Sequence, residues 1–181
     1  MARAGTRPGM LRRFGSDRRG VSAVEFALIA PLMIVFYFGL VELCQGFMAL
    51  KRMTHVSSTV ADLATQEASL SASDITDLFA AGNVIMAPFP TPALSQRISS
   101  VSVDANGVAR IDWSRGQGMS ARAAGSTVTV PAGLVENGES LIMTEVSYDY
   151  DSAIDYIVKG ITRFSHTYYL RPRVSDKVTL R

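Results

Sequence analysis

The chain of 181 residues carries 18 Lys+Arg against 16 Asp+Glu, is 48% hydrophobic and holds one cysteine. That profile fits one modest domain with something added, and it excludes collagen-like, disulfide-stapled and fully disordered chains. The net charge of +2 is unevenly placed, because residues 1 to 20 contain six Arg and one Asp while the rest of the chain is net acidic. A basic tail of this kind argues against a nucleic-acid surface, which needs cations clustered on a stable scaffold. One Cys and two His would give a zinc site of His and Cys three ligands at most, so neither a metal site nor a cofactor is expected.

The basic tail runs into an apolar block. From Phe26 to Val41 sixteen consecutive residues carry no charge, and Val21 to Leu50 contains only Glu25 and Glu42. A helix over Val21 to Leu50 is about 45 Å long, against about 30 Å for the hydrocarbon core of a bilayer, so it spans and then continues outwards. The six arginines before it place the N-terminus in the cytoplasm and the chain after about residue 50 outside, with Lys51 and Arg52 opposing weakly. Val41 to Leu50 offers no small-x-small signal cleavage site, and Leu43 before Cys44 makes a poor lipidation site. The expected organisation is a basic cytoplasmic leader over 1–20, a transmembrane helix over 21–50 and an extracytoplasmic α+β domain over 51–181.

Two acids interrupt the apolar block. An intramembrane carboxylate at the centre of a helix costs about 2.5–3.5 kcal/mol on insertion scales and is a functional candidate by default. Glu25 and Glu42 lie roughly 25 Å apart along a helix, so each could instead sit near one face of the bilayer. Position alone leaves Glu25 open between these readings, and Glu42 reads as interfacial. Pro31 loosens the helix locally, and Gly39 and Gly46, seven residues apart, offer small surfaces on one side of it.

Beyond the membrane, Leu43, Phe47, Leu50, Val56, Val60 and Leu63 recur at spacings that predict one apolar stripe facing a sheet. Ser73 is expected to cap a short second helix from Asp74 to about Met86, which Pro88, Pro90 and Pro92 close. The run RISSVSVDANGVARIDW reads as a hairpin around Asn106-Gly107. A three-residue loop from Ala105 to Gly107 sets Val101 against Ile111 and Ser99 against Trp113, with Gly107 left-handed. Leu141 to Tyr150 reads as a half-buried strand. Ile154, Ile157, Val158 and Ile161 suggest a further short helix, and Phe164 to Arg171 a last strand with Phe164, His166, Tyr168 and Leu170 on one face. The fold class is therefore α+β: a long N-terminal helix packed on a small antiparallel sheet, with a short extra helix.

Catalytic chemistry finds little footing. Gly116-Gln-Gly118-Met-Ser-Ala121 matches a dinucleotide fingerprint on paper, but no sustained helix is expected after it, and it reads as a flexible loop. His55 and His166 accompany no nucleophile motif. Asp149 and Asp151 lack a calcium-loop context and read as a solvated turn. No catalytic residue is assigned, and the chain is not expected to be an enzyme.

The leader and helix carry the most specific pattern. RRGVSAVEFALIAP, Arg18 to Pro31, resembles the processing site of type IV prepilins and, more closely, the TadE/TadF-type pseudopilins of tight-adherence (Flp) pilus systems, whose N-termini read much like G-x-x-x-V-E-F-A-L-x-x-P. General prepilins more often have Phe after the cut, where this chain has Val21. RIDWS, VPAGL, LIMTEVSYDY and YLRPRVSDKV in the C-terminal half also look like the extracytoplasmic part of TadE-like proteins, so the resemblance spans most of residues 18 to 178.

The resemblance implies a pilin-like architecture and a minor pseudopilin or pilus assembly protein. It implies cleavage by a prepilin peptidase between Gly20 and Val21, and it places Glu25 at the fifth mature position. In pilins, that acid is thought to pair with the freed ammonium of a neighbouring subunit. The implied location is the inner membrane, single-pass, with the C-terminal domain in the periplasm and the protein able to enter a pilus. The implied partners are the peptidase, other pilins or pseudopilins, inner-membrane assembly proteins and lipid, with no nucleic acid. The alternative is an unprocessed single-pass envelope protein whose outer domain binds a partner or ligand. A third class, a membrane-anchored enzyme, would need a clustered polar pocket in the outer domain.

Overall fold

The computed structural model describes residues 19–152 and 163–181. The helix expected around Ile154 to Ile161 and nearly all of the basic leader lie outside these residues. The described chain is α+β, and it falls into two compact units divided between Leu43 and Cys44. Helix α1, Arg19–Thr65, is 47 residues long and contains Pro31.

In the first unit the helix surface from Gly20 to Leu43 is exposed, with only Ala30 and Glu42 half-buried. In the second unit α1 turns one face to a core. The buried residues on that face are Ala49, Met53, Val56, Ser57, Val60 and Ala64. This corrects the expected stripe: Val56 and Val60 belong to it, but Leu43, Phe47 and Leu63 are exposed. Large apolar residues mark a stripe most visibly in a sequence, whereas here Ala49 and Ala64, which mark none, share the core with Met53, Val56 and Val60.

After α1 the chain forms strand β1, Ser69–Leu70, and helix α2, Ala72–Met86. The cap is Ser71 and not Ser73. The Ser71 hydroxyl accepts from the Asp74 backbone N–H at 3.2 Å, and the Ser71 backbone N–H donates to Asp74 Oδ2 at 2.8 Å. An acid three residues after the serine completes this reciprocal box, which Ser73 cannot form with Thr76. Ile75, Leu78, Phe79, Gly82 and Met86 are buried on α2.

Four strands follow as one antiparallel sheet in the order β3-β2-β4-β5: β2 is Leu94–Val103, β3 is Ala109–Gln117, β4 is Ser140–Asp149 and β5 is Arg163–Leu170. The β2–β3 turn takes the expected register, with Val101 opposite Ile111. Gly107 has φ of +79°, the left-handed conformation glycine adopts without steric cost. Further from the turn the expectation fails, because Trp113 pairs with Ser100 instead of Ser99, across a register shift between Ser100 and Val101. Asp112 is the extra residue of this bulge. Its carboxylate accepts from Ser102 Oγ at 2.6 Å and pairs with Lys177 Nζ at 2.6 Å.

The bulge has a packing consequence. Residues Ile111 and Trp113, which simple alternation would put on one face, are sent to opposite faces. Trp113 joins Ile98, Ile142, Val146 and Tyr148 in the core under the helices. Ile111 joins Val101, Val103, Ala109, Leu141 and Met143 in a second core on the other face, covered by Val128, Val130 and Val135. Strand β4 is therefore buried on both faces from Leu141 to Thr144, not half-buried throughout. On β5 the expected face of Phe164, His166, Tyr168 and Leu170 is half-buried. A final strand, β6 at Thr179–Leu180, pairs in parallel with β1. These two-residue strands are too short to show a period in the sequence.

Candidate functional site

Gly20 and Val21 lie near the start of the described part of α1. Gly20 is exposed, and a Cβ placed on it would meet nothing within 4 Å. Val21 is 53% exposed. Glu25, one turn further on, is also exposed. The three residues expected to matter thus share the exposed N-terminal end of one helix.

The surface that follows them is apolar and open. Phe26, Leu28, Val35 and Phe36 are each between 67% and 74% exposed. Within Gly20–Thr65 an 18-residue window of mean hydropathy 2.2 contains no buried residue, and α1 is long and apolar enough to cross a membrane. Gly20 to Leu43 alone is about 36 Å of helix, against about 30 Å of hydrocarbon. Of the two glycines, Gly39 has open space beside it, while a Cβ on Gly46 would reach the Tyr150 ring at 3.9 Å. Gly46 therefore faces its own domain. Glu42 is half-buried, with Oε1 shielded and lacking a hydrogen-bond partner among the described residues.

The second unit holds a cluster that sequence reading missed. Glu145 on β4 stands directly opposite Arg97 on β2. Arg97 Nε donates to Glu145 Oε2 at 2.7 Å, and Arg122 donates to both carboxylate oxygens, at 2.9 and 2.7 Å. Arg97 Nη1 also donates to the Ser120 carbonyl at 2.8 Å. Burial pushes the Glu145 carboxyl up, but the hydrogen bonds from Arg122 and Arg97 outweigh it and hold the group at about 2. Glu145 is held ionised by both arginines, so it clasps the segment after β3 to the sheet. Arg122 lies in a segment without secondary structure, and the 97–145 juxtaposition exists only once β2 and β4 pair, so spacing along the chain held no signal for it.

The glycine fingerprint resolves as a turn. A Cβ on Gly116 would come within 2.2 Å of the Met119 carbonyl oxygen, and Gly118 has φ of +74°. Both positions need glycine for a tight exit from β3, and no helix follows over residues 118–139. Beyond the turn, Gly125 donates to the Ile111 carbonyl and Val128 to the Ala109 carbonyl, so the chain after Ala121 returns to β3 and covers the second core.

The remaining polar candidates are occupied or scattered. Asp149 receives two hydrogen bonds from Arg163, which hold its carboxyl below the usual range. His55 on α1 is exposed, and His166 on β5 is half-buried. Among the described residues no group of three or more His, Cys, Asp or Glu is placed to hold a metal ion. A groove between the β2–β3 turn and residues 128–137 is lined by Val103, Val108, Val128, Val130, Pro131 and Val135, with no charged, His or Cys side chain on its walls.

Comparison with known proteins gives one family match: residues 20–62 match the model described as TadE-like protein. The match begins at Gly20 and ends within α1. The C-terminal segments from Arg110 to Val178 that resemble the same family lie beyond it. No curated protein and no solved structure matched the chain.

Proposed function

The chain is TadE-like over residues 20–62, and from that premise we propose that it is a minor pseudopilin or assembly factor of a tight-adherence (Flp) pilus. In this reading it is a structural component and not an enzyme. A prepilin peptidase cuts between Gly20 and Val21, the basic leader is left in the cytoplasm, and Val21 gains a free ammonium. The inner membrane receives the apolar part of α1, over residues 21–50, as a single span, and the periplasm receives the domain over 51–181. Mature protein then meets other pilins, pseudopilins and inner-membrane assembly proteins through the helix.

The observation that supports this reading best is the coincidence of the family match with the uncovered apolar helix. The match opens at the residue before the proposed cut, and the surface after it lacks protein cover. A bilayer satisfies that surface in the precursor, and neighbouring helices satisfy it in an assembly. Glu25 gives the exchange its direction. An ammonium and a carboxylate that are each costly in hydrocarbon become far less so as a pair, so docking next to another subunit's Val21 neutralises both.

Replacing Glu25 separates docking from anchoring. Glu25→Ala is expected to insert into membranes as the parent does, and to be lost from pili or from co-purified pilin complexes. Normal recovery of Glu25→Ala in those complexes would contradict the docking role, and loss of membrane insertion would make Glu25 an insertion determinant instead.

A further inference from the structure

Resting on the reading of α1 as a membrane span, we propose that the outer domain carries its own lipid-contact surface, formed by Phe47, Met48, Lys51 and Arg52 of α1 with Val84 of α2, and that this surface takes anionic phospholipid headgroups. All five residues belong to the second unit, and none serves its core. Phe47 is 57%, Met48 46% and Val84 75% exposed, while Lys51 and Arg52 are also exposed. Lys51 Nζ lies 5.4 Å from the Phe47 ring centroid, so an apolar plane and a cation are presented together. Arg52 Nη1 donates to the Ile85 carbonyl at 3.1 Å. That bond brings the C-terminal turn of α2, with Val84, beside the same turn of α1. It also places a cation at a helix C-terminus that has no basic residue of its own.

Two observations point to a lipid surface as the occupant. The first is continuity, since the same helix is uncovered and apolar up to Leu43. A bilayer with its headgroups is about 40–45 Å thick, or roughly 27–30 helical residues. Counted from Val21, the far headgroup layer falls at about Phe47 to Lys51. The second is charge. After Arg19 the chain has no cation until Lys51 and Arg52, so the first positive groups follow the apolar run at the depth of the lipid phosphates. Exposed aromatic and apolar side chains beside cations are the composition of an interfacial contact.

The test uses the full chain in vesicles, with Cys44→Ser removing the native thiol and single fluorescent labels at Val84→Cys, Thr129→Cys or Val35→Cys. Quenchers are carried on lipid headgroups or acyl chains. Headgroup quenching of the label at 84 should be strong in phosphatidylglycerol vesicles, weaker in phosphatidylcholine, and stronger than at 129. Lys51→Glu, which leaves the Arg52–Ile85 bond in place, should lower surface association at least about fivefold. Quenching at 84 no greater than at 129, with acyl-chain quenching at 35 intact, would overturn the lipid surface while leaving the span. Equal quenching in both lipids would overturn the anionic preference. Absence of acyl-chain quenching at 35 would sink the membrane-spanning reading and the surface with it.

Discussion

Gln96 is fully buried in the helix–sheet core, where its amide donates to the Phe79 carbonyl and to Asn83 Oδ1. Gly82 makes room for it, since a Cβ there would lie 2.0 Å from Gln96 Oε1. Gly82→Ala should therefore destabilise the domain by about 1–3 kcal/mol through overpacking, read as a lower unfolding midpoint in detergent. An unchanged midpoint would show that Gln96 can move aside freely. Glu145 offers a second residue-level test with a pH signature. Its folded pKa of about 2 lies below the ordinary value of 4.5, so its contribution is complete above about 4.5 and is lost as pH falls towards about 2. Glu145→Gln should cost about 2 kcal/mol at neutral pH, and the gap between parent and variant should narrow across that window. These contacts were not legible beforehand. Gln96 and Gly82 are separated in the chain by a helix end and three prolines, and nothing in either neighbourhood marks them as partners. Glu25, by contrast, is visible as an acid in an apolar run, while Gly20 is singled out only by the resemblance of Arg18 to Pro31 to prepilin processing sites.

At the scale of elements, local chemistry and tertiary chemistry divided cleanly. The β2–β3 turn was readable because Asn106-Gly107 and the alternation around it act within a few residues, and Asp104 fixes the loop by accepting from the Asn106 and Val108 backbone N–H groups. The bulge at Asp112 was hidden, since its partners Ser102 and Lys177 come from another strand and from the C-terminal segment. The second core was hidden because residues 118–139 alternate only briefly, at Thr127 to Val130, and form no strand, yet they supply Val128, Val130 and Val135. Helix α2 was read with its cap displaced by two residues. Ser71→Ala should lower stability by about 1 kcal/mol while Ser73→Ala changes it little, as measured by paired denaturation curves. On α1, Ala64→Leu should be clearly destabilising because Ala64 is fully buried, at about 1–3 kcal/mol. Leu43→Ala should leave the folded domain unchanged. The opposite order would restore the stripe that large side chains suggested.

For the whole molecule, the two units pose different physical problems. From Cys44 onwards the described residues build two apolar clusters, one on each face of a four-stranded sheet. From Gly20 to Leu43 it buries almost nothing, and lipid or other helices must supply what the chain does not. That contrast is what the proposed function rests on, because in that reading the exposed helix is held in a membrane first and packed among other helices later. The central claim is that a cut after Gly20 converts the stored form into the assembling one. It is tested most directly by the intact mass and N-terminal peptide of membrane-extracted protein, expressed with an active or an inactivated prepilin peptidase. The account predicts a chain beginning at Val21 only with the active enzyme. An intact leader beside an active peptidase would contradict it and leave an anchored envelope protein in its place.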